Sequence, residues 1–429
     1  MLRMTLAYGF AAASALAASG LAASAPARVT FHKDVLPVLQ KSCQTCHRPG
    51  EAAPMSFLSY GETRPWAKAI RAAVLAKKMP PWFADPHAGK FSNDRSLSAQ
   101  EIQTLAAWAE GGAVEGDSQS APPPVEFVEG WAIGKPDLVI SMPDDYAVPA
   151  AGTIEYQYVI LPTGLTEDKW VRLAEARPGN RAVTHHIIAF VRDPSSNWYR
   201  DQAPGLPFVP KSRKQSEGGG TLGELIAGYA PGHQPLTLKP GQAKLLKAGS
   251  DLVFQMHYTS NGKAATDRSS VGLVFAAEPP TERVFTANAL NTKFAIPAGA
   301  AAHRVDAQMT LQEDAQLVTL MPHMHLRGKD FEYRAVYPTG ETETLLRVPK
   351  WDFNWQLVYY LDAPKTLPKG TRIECTAHFD NSPNNPANPD AGKEVKWGDQ
   401  SWEEMMIGWF DLAVSADRKP SDVLRKKQL

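Results

Sequence analysis

Two hydrophobic rhythms divide the chain. Between residues 28 and 117, apolar positions recur at helical spacing in FHKDVLPVLQKS, PWAKAIRAAVLAKK and SAQEIQTLAAWAEGG. In the last of these, Ile102, Leu105, Ala106 and Trp108 favour one face, and Gly111-Gly112 supplies a stop. From about residue 126 the texture changes to short alternating runs separated by Pro, Gly and Asp. Examples are DLVISMP, TIEYQYVILP, THHIIAFVR, DLVFQMHYTS, SSVGLVFAAE, AQLVTLMPHMH, FEYRAVYPTG and WQLVYYLDAP. Their length and spacing predict antiparallel sandwiches, and AAEPPTERV (276–284) breaks them into two parts of similar size. The expected fold class is multidomain: a small all-α domain at 28–117, a polar, proline-rich linker at 118–127, and two all-β jelly-roll sandwiches at 128–278 and 279–415, with a tail at 416–429.

Composition changes this picture little. The chain has 429 residues, 43% hydrophobic and 21% charged, which suits several soluble domains with real cores. Lys plus Arg equals Asp plus Glu, so no charge excess invites nucleic acid or an anionic membrane. The 35 prolines fit loops and short strands better than long helices. Residues 1–25 read as a signal peptide. Arg3 begins it, an alanine-rich apolar run follows, and Ala23-Ser24-Ala25 forms an A-x-A-like cleavage motif. A membrane anchor is the alternative, but the run is weakly apolar for a spanning helix. The expectation is a periplasmic or secreted protein without stable membrane insertion.

Three cysteines exclude a disulfide framework. Cys375 is expected to be buried filler. Cys43, Cys46 and His47 form CQTCH, the attachment pattern for c-type haem: two thiols add to two vinyl groups and the adjacent imidazole faces the iron. The all-α segment is therefore expected to be cytochrome c-like. Met79, held outside a helix by the prolines of KKMPPWFADP, is the expected sixth ligand, with His87 and Met55 as rivals.

Five of the 11 histidines fall in three places of the β region: His185 and His186 in THHII, His257 in QMHYT, and His323 and His325 in MPHMH. On a strand, the H-x-H pair would share one face about 6.6 Å apart at Cα. His257 would share a face with Val253, Gln255 and Thr259, opposite Leu252, Phe254, Met256 and Tyr258. His185 and His186 could reach one ion only if their strand twists or bulges. Singly, each histidine reads as a structural hydrogen-bonder; together they point to metal. Imidazole suits zinc, copper, iron and nickel, and a thioether from Met405 or Met406 in EEMMIGWF would favour Cu(I). His32, His233, His303 and His378 are expected to be structural.

In this order, THHII, QMHYT, HMHLRG and SWEEMM resemble the copper type II, ascorbate-dependent monooxygenases, the family of peptidylglycine α-hydroxylating and dopamine β-monooxygenases. The resemblance covers roughly residues 150–412. It implies two jelly-roll domains, each with one copper, facing each other across a solvent-filled gap. His185, His186 and His257 would hold the electron-transfer copper. His323, His325 and Met405 would hold the copper that binds O2 and would be the catalytic residues. The implied activity is hydroxylation of a C–H bond, with one oxygen atom ending in product and the other in water. DFNWQ (352–356) and HFDNSPNNPANP (378–389) also resemble stretches of bacterial relatives. Met321, Ile407 and Trp409 stand where the peptidylglycine enzyme has its substrate-clamping arginine, asparagine and tyrosine, so an apolar or aromatic organic substrate fits better than a peptidylglycine. The fused haem segment suggests that electrons from an external donor, an ascorbate-like reductant or a redox protein, pass through haem to the three-histidine copper. The alternatives are a non-catalytic haem/copper electron-transfer or copper-binding protein, and a reductase of a small inorganic species.

Overall fold

A computed structural model describes Met1, residues 28–210 and residues 224–424. The signal-peptide reading at 1–25 lies almost wholly outside the described residues. No helix among those described is long and apolar enough to cross a membrane.

β-Sheet dominates, and helices are few. The helical part comprises Phe31–Val35 with Leu36–Ser42, Tyr60–Thr63, Ala67–Leu75 and Ala99–Glu110. The last helix shows why its sequence folds this way. Ser98 and Glu101 form a reciprocal capping box at its start. Leu105, Ala106 and Trp108 are buried on one face, with Ile102 packed beside them. The chain leaves the helix through Gly112 at φ +89°, a conformation glycine adopts without strain.

Two pairs of sheets follow. In the first, the four-stranded sheet Gln157–Pro162, Asp251–Tyr258, Thr184–Arg192 and Glu224–Tyr229 packs over the strands Leu138–Ser141, Ser270–Phe275, Lys169–Arg177 and Gln242–Leu246. In the second, His303–Thr310, Arg372–Phe379, Gly328–Val336 and Thr342–Val348 pack over Glu282–Asn291, Met406–Ser415, Ala315–His323 and Tyr359–Leu367. Alternation is kept where the sequence suggested it: Leu252, Phe254, Met256 and Tyr258 enter the first core, and Val253 faces the other way.

The two halves are joined by strand pairing. Glu282 and Arg283 pair in parallel with Gln242 and Ala243, so one nine-stranded sheet runs through both. A buried ion pair ties the same seam: Lys244 Nζ lies 2.9 Å from Asp411 Oδ1 and also donates to Thr286 Oγ1 (2.7 Å) and Leu225 O (2.8 Å). Those partners offset the cost of removing the ammonium from water. Beside the seam, an apolar layer with Tyr156, Tyr158, Phe190, Val253, Met405, Ile407 and Trp409 joins the inner faces.

The linker and tail are also more ordered than composition suggested. Pro123 O accepts from Gln40 Nε2 (2.9 Å), and the Arg48 guanidinium lies 4.3 Å from the Phe127 ring centroid, so the linker lies back on the helical part. Within the tail, Val423 is fully buried in the second core. Residues 82–94 form a strap on the second sandwich. Trp82 packs on Tyr359, Asp85 N donates to Arg347 O (2.8 Å), and Asn93 exchanges hydrogen bonds with Val358 and Tyr360.

Candidate metal centre

The strand Thr184–Arg192 carries the bulge its two adjacent histidines require. Thr184 pairs with Tyr258 and His186 with His257, which leaves His185 as the extra residue. The ring of His185 is thereby turned to the side of its neighbour. His185, His186 and His257 each offer a nitrogen within 4.8 Å of the others. The Nδ1 atoms of His185 and His186 lie 3.3 Å apart, and His257 Nδ1 is buried without a hydrogen-bond partner. Burial holds all three imidazoles below their ordinary pKa, His257 down to about 3 and His186 well below its usual value. They are therefore neutral at pH 7, as ligands must be. The triad could hold a metal ion.

His323 and His325 are built differently. The strand Ala315–His323 ends at the first of them, so the expectation of an H-x-H on one extended strand fails at the second: His325 lies just beyond, where the chain enters a turn. Their ring centroids are 5.2 Å apart, with the planes at 90°. Each Nδ1 meets a carbonyl oxygen: His323 donates to Gln356 Oε1 (2.6 Å) and His325 to the Glu403 carbonyl (3.2 Å). A carbonyl can only accept, so both rings carry the proton on Nδ1 and present Nε2 as the lone-pair atom. His325 Nε2 is buried and has no partner. Burial lowers both pKa values, that of His323 to about 4.

Glu404 fixes the backbone of this turn. It accepts from His325 N (Oε2, 2.8 Å) and Arg327 N (Oε1, 2.6 Å). Burial pushes its carboxyl up to about 8, against the pull of those two donors and the Arg327 guanidinium. Arg327 is itself buried and donates from Nε to Asn381 Oδ1 (2.8 Å), which gives the Asn-rich loop a structural role. Met405 and Met406 separate cleanly. Met406 fills the second core, whereas Met405 is buried in the layer between the sandwiches beside Tyr156.

The two histidine sets adjoin. The Tyr156 ring is 5.3 Å from His186, 4.7 Å from His257 and 6.3 Å from His325. Phe353 stacks on His185 at 5.5 Å and meets His325 edge-on at 6.4 Å. Tyr156 and Phe353 thus each lie against rings of both sets. His186 and His323 line one cavity of about 30 Å3 together with His233, Tyr229, Met321 and Gln356. A second of about 30 Å3 is lined by His233, Lys244, Met321, Trp409 and Asp411. Each has room for at least one water molecule.

In the helical part, Cys46 N and His47 N both donate to Cys43 O (3.1 and 2.9 Å), which places two thiols and an imidazole on one turn. The His47 ring stacks on Phe57 at 4.3 Å, and its Nδ1 is buried without a partner. Burial pushes the Cys43 thiol up to about 12 and raises that of Cys46. Met55 packs on the helical core beside Cys43, Met79 is half-buried at a cis Met79–Pro80 bond, and His87 is exposed on the strap. Cys375 is buried in the second core, as expected.

Sequence reasoning missed Gln356, Phe353, Tyr156, Glu404 and His233. DFNWQ carried the signal for the first two, and the acidic pair before Met405 the signal for Glu404.

No protein-family model matches the chain, and no curated protein matches it. Among solved structures, the infectious bursal disease virus Gx strain is similar at 10% identity, over 66% of this chain and 73% of that one, with a TM-score of 0.19. A structure of allantoicase is similar at 9% identity over 55% and 79%, with a TM-score of 0.17. Likeness that slight carries no argument about this protein.

Proposed function

We propose that this chain is an exported, haem-fused dicopper monooxygenase that hydroxylates a C–H bond of an organic substrate with O2. The observation that carries the reading is the pair of neutral imidazole sets. Three rings converge across a bulge, and two more are held in a metal-ready tautomer by carbonyl partners, with Met405 buried nearby. The donor types fit copper at both: imidazoles alone at His185, His186 and His257, and imidazoles with a thioether at His323, His325 and Met405. Cys43, Cys46 and His47 fit a c-type haem, with Met79, Met55 and His87 the residues offered for its far side. Bound copper and haem would supply the one-electron steps that O2 reduction needs. The protein's own part is to keep five imidazoles unprotonated, to aim Nε2 of His323 and His325, and to exclude water with Tyr156 and Phe353. The β part would then consist of two jelly rolls and the helical part of a cytochrome c-like unit.

Metal analysis of the matured protein, followed by a screen for oxygenated products, tests this reading. Two coppers and one haem per chain are expected. Fewer than two coppers, or peroxide release without any product, overturns it. A second reading, a redox protein that handles a small inorganic species, fits the two cavities lined by His233, one of them shared with His186 and His323, since each admits water-sized molecules.

A further inference from the structure

We propose that the turn Tyr229–His233 is the electron-transfer contact through which the Cys43–His47 segment reaches the site of His185, His186 and His257. The inference rests on the reading above and names a route within it. On one side of the turn stands the haem-attachment segment. Glu51, four residues past His47, pairs with Arg181 (Oε2 to Nε, 3.2 Å), and the Arg181 guanidinium lies 5.8 Å from the Tyr229 ring centroid. Arg95, just past the strap, reaches the same place. Gly232 has φ +80°, and a Cβ there would come within 2.9 Å of an Arg95 guanidinium nitrogen. The positive φ favours glycine there. Cys46 lies within electrostatic reach of both arginines, and Tyr229 within reach of Cys46.

On the other side stands the histidine site. Tyr229 pairs with Ile187 in the ladder, one residue from His186. His233 folds back to donate Nδ1 to Gly228 O (3.0 Å), and its ring lines both cavities, one of them shared with His186 and His323. The turn therefore has Arg95 and Arg181, both within electrostatic reach of Cys46, on one face and the cavity wall on the other. The step is one electron leaving a ferrous haem, which becomes ferric, and reducing one cupric ion to cuprous; no bond breaks and no proton is required. Arg95 and Arg181 act as positioning residues, and Tyr229 and His233 supply the packed path.

The test uses the full-length protein loaded with haem and copper, oxidised and free of O2. A light-generated pulse of a one-electron reductant reduces the haem, and haem absorbance and the cupric EPR signal are followed. Wild-type haem should reoxidise as the cupric signal falls. Tyr229→Leu and Arg95→Gln should each slow that reoxidation by at least about tenfold, with haem spectrum, copper content and cupric EPR parameters unchanged, and Arg95→Lys should keep most of the rate. A wild-type rate in Arg95→Gln overturns the contact even if Tyr229→Leu does not fold. A wild-type protein that binds both cofactors but never passes the electron overturns the relay itself, which separates the two failures.

Discussion

The two histidine sets are built by different means. His185, His186 and His257 come from two neighbouring strands of one sheet, and a single bulge brings them together. Their rings lie against one another, and Asn354 also hydrogen-bonds to His185. His323 and His325 depend on distant pieces: Gln356 and the Glu403 carbonyl fix the tautomers, and Glu404 holds the turn. The first set is organised by strand register, with Nδ1 of His185 and His186 3.3 Å apart. The second is held by hydrogen bonds to residues outside its own strand. The difference teaches that a site made from one ladder needs few supporting residues, whereas a site at the end of a strand must borrow them.

The sharpest break of this comparison is His257→Ala. It removes one of the three donors, so under the proposed dicopper reading the copper content should fall from two per chain to one by metal analysis. His323 and His325 should keep theirs. Loss of both coppers would show that the sets are not independent. Next comes Glu404→Gln, which leaves one of two backbone N–H groups poorly paired in a buried turn. It should cost about 1–3 kcal/mol in denaturant unfolding and weaken the second copper while sparing the first. Gln356→Ala should lower affinity at the second site by roughly 10- to 100-fold with little change in stability, read by copper titration. If it weakens the first site equally, the assignment of Gln356 to His323 alone is wrong.

The smallest effect concerns the seam between the two regions. Burial raises the Glu224 carboxyl from 4.5 to about 7, against the pull of Lys244 and Arg283. A raised folded pKa means the contribution is fully present below pH 4.5. It is lost as pH rises to about 7, by at most about 1.4 kcal/mol per unit. Glu224→Gln should flatten the slope of unfolding free energy over that window. An unchanged slope would place the titration elsewhere.

Much of this was legible in the residues, for identifiable reasons. Alternation in DLVFQMHY set the face of His257, because strand geometry has a period of two. The adjacency of His185 and His186 named its own condition, a bulge, which the ladder contains. Met405 and Met406 could not be separated by pattern, since the strand begins between them. Gln356, Tyr156 and Phe353 are brought in by the meeting of the sandwiches, and no local rhythm encodes such a meeting. The same holds for His233, read as structural because a lone histidine in a turn carries no signal of the cavity behind it.

The pairing of Gln242 and Ala243 with Glu282 and Arg283 has a practical corollary. A cut near residue 278, where the sequence marks a boundary, would divide a hydrogen-bonded ladder rather than a tether. Either half expressed alone would bare the margin of a sheet and invite pairing with its own kind. The stretch between the halves thus behaves less as a joint than as a crease in continuous cloth.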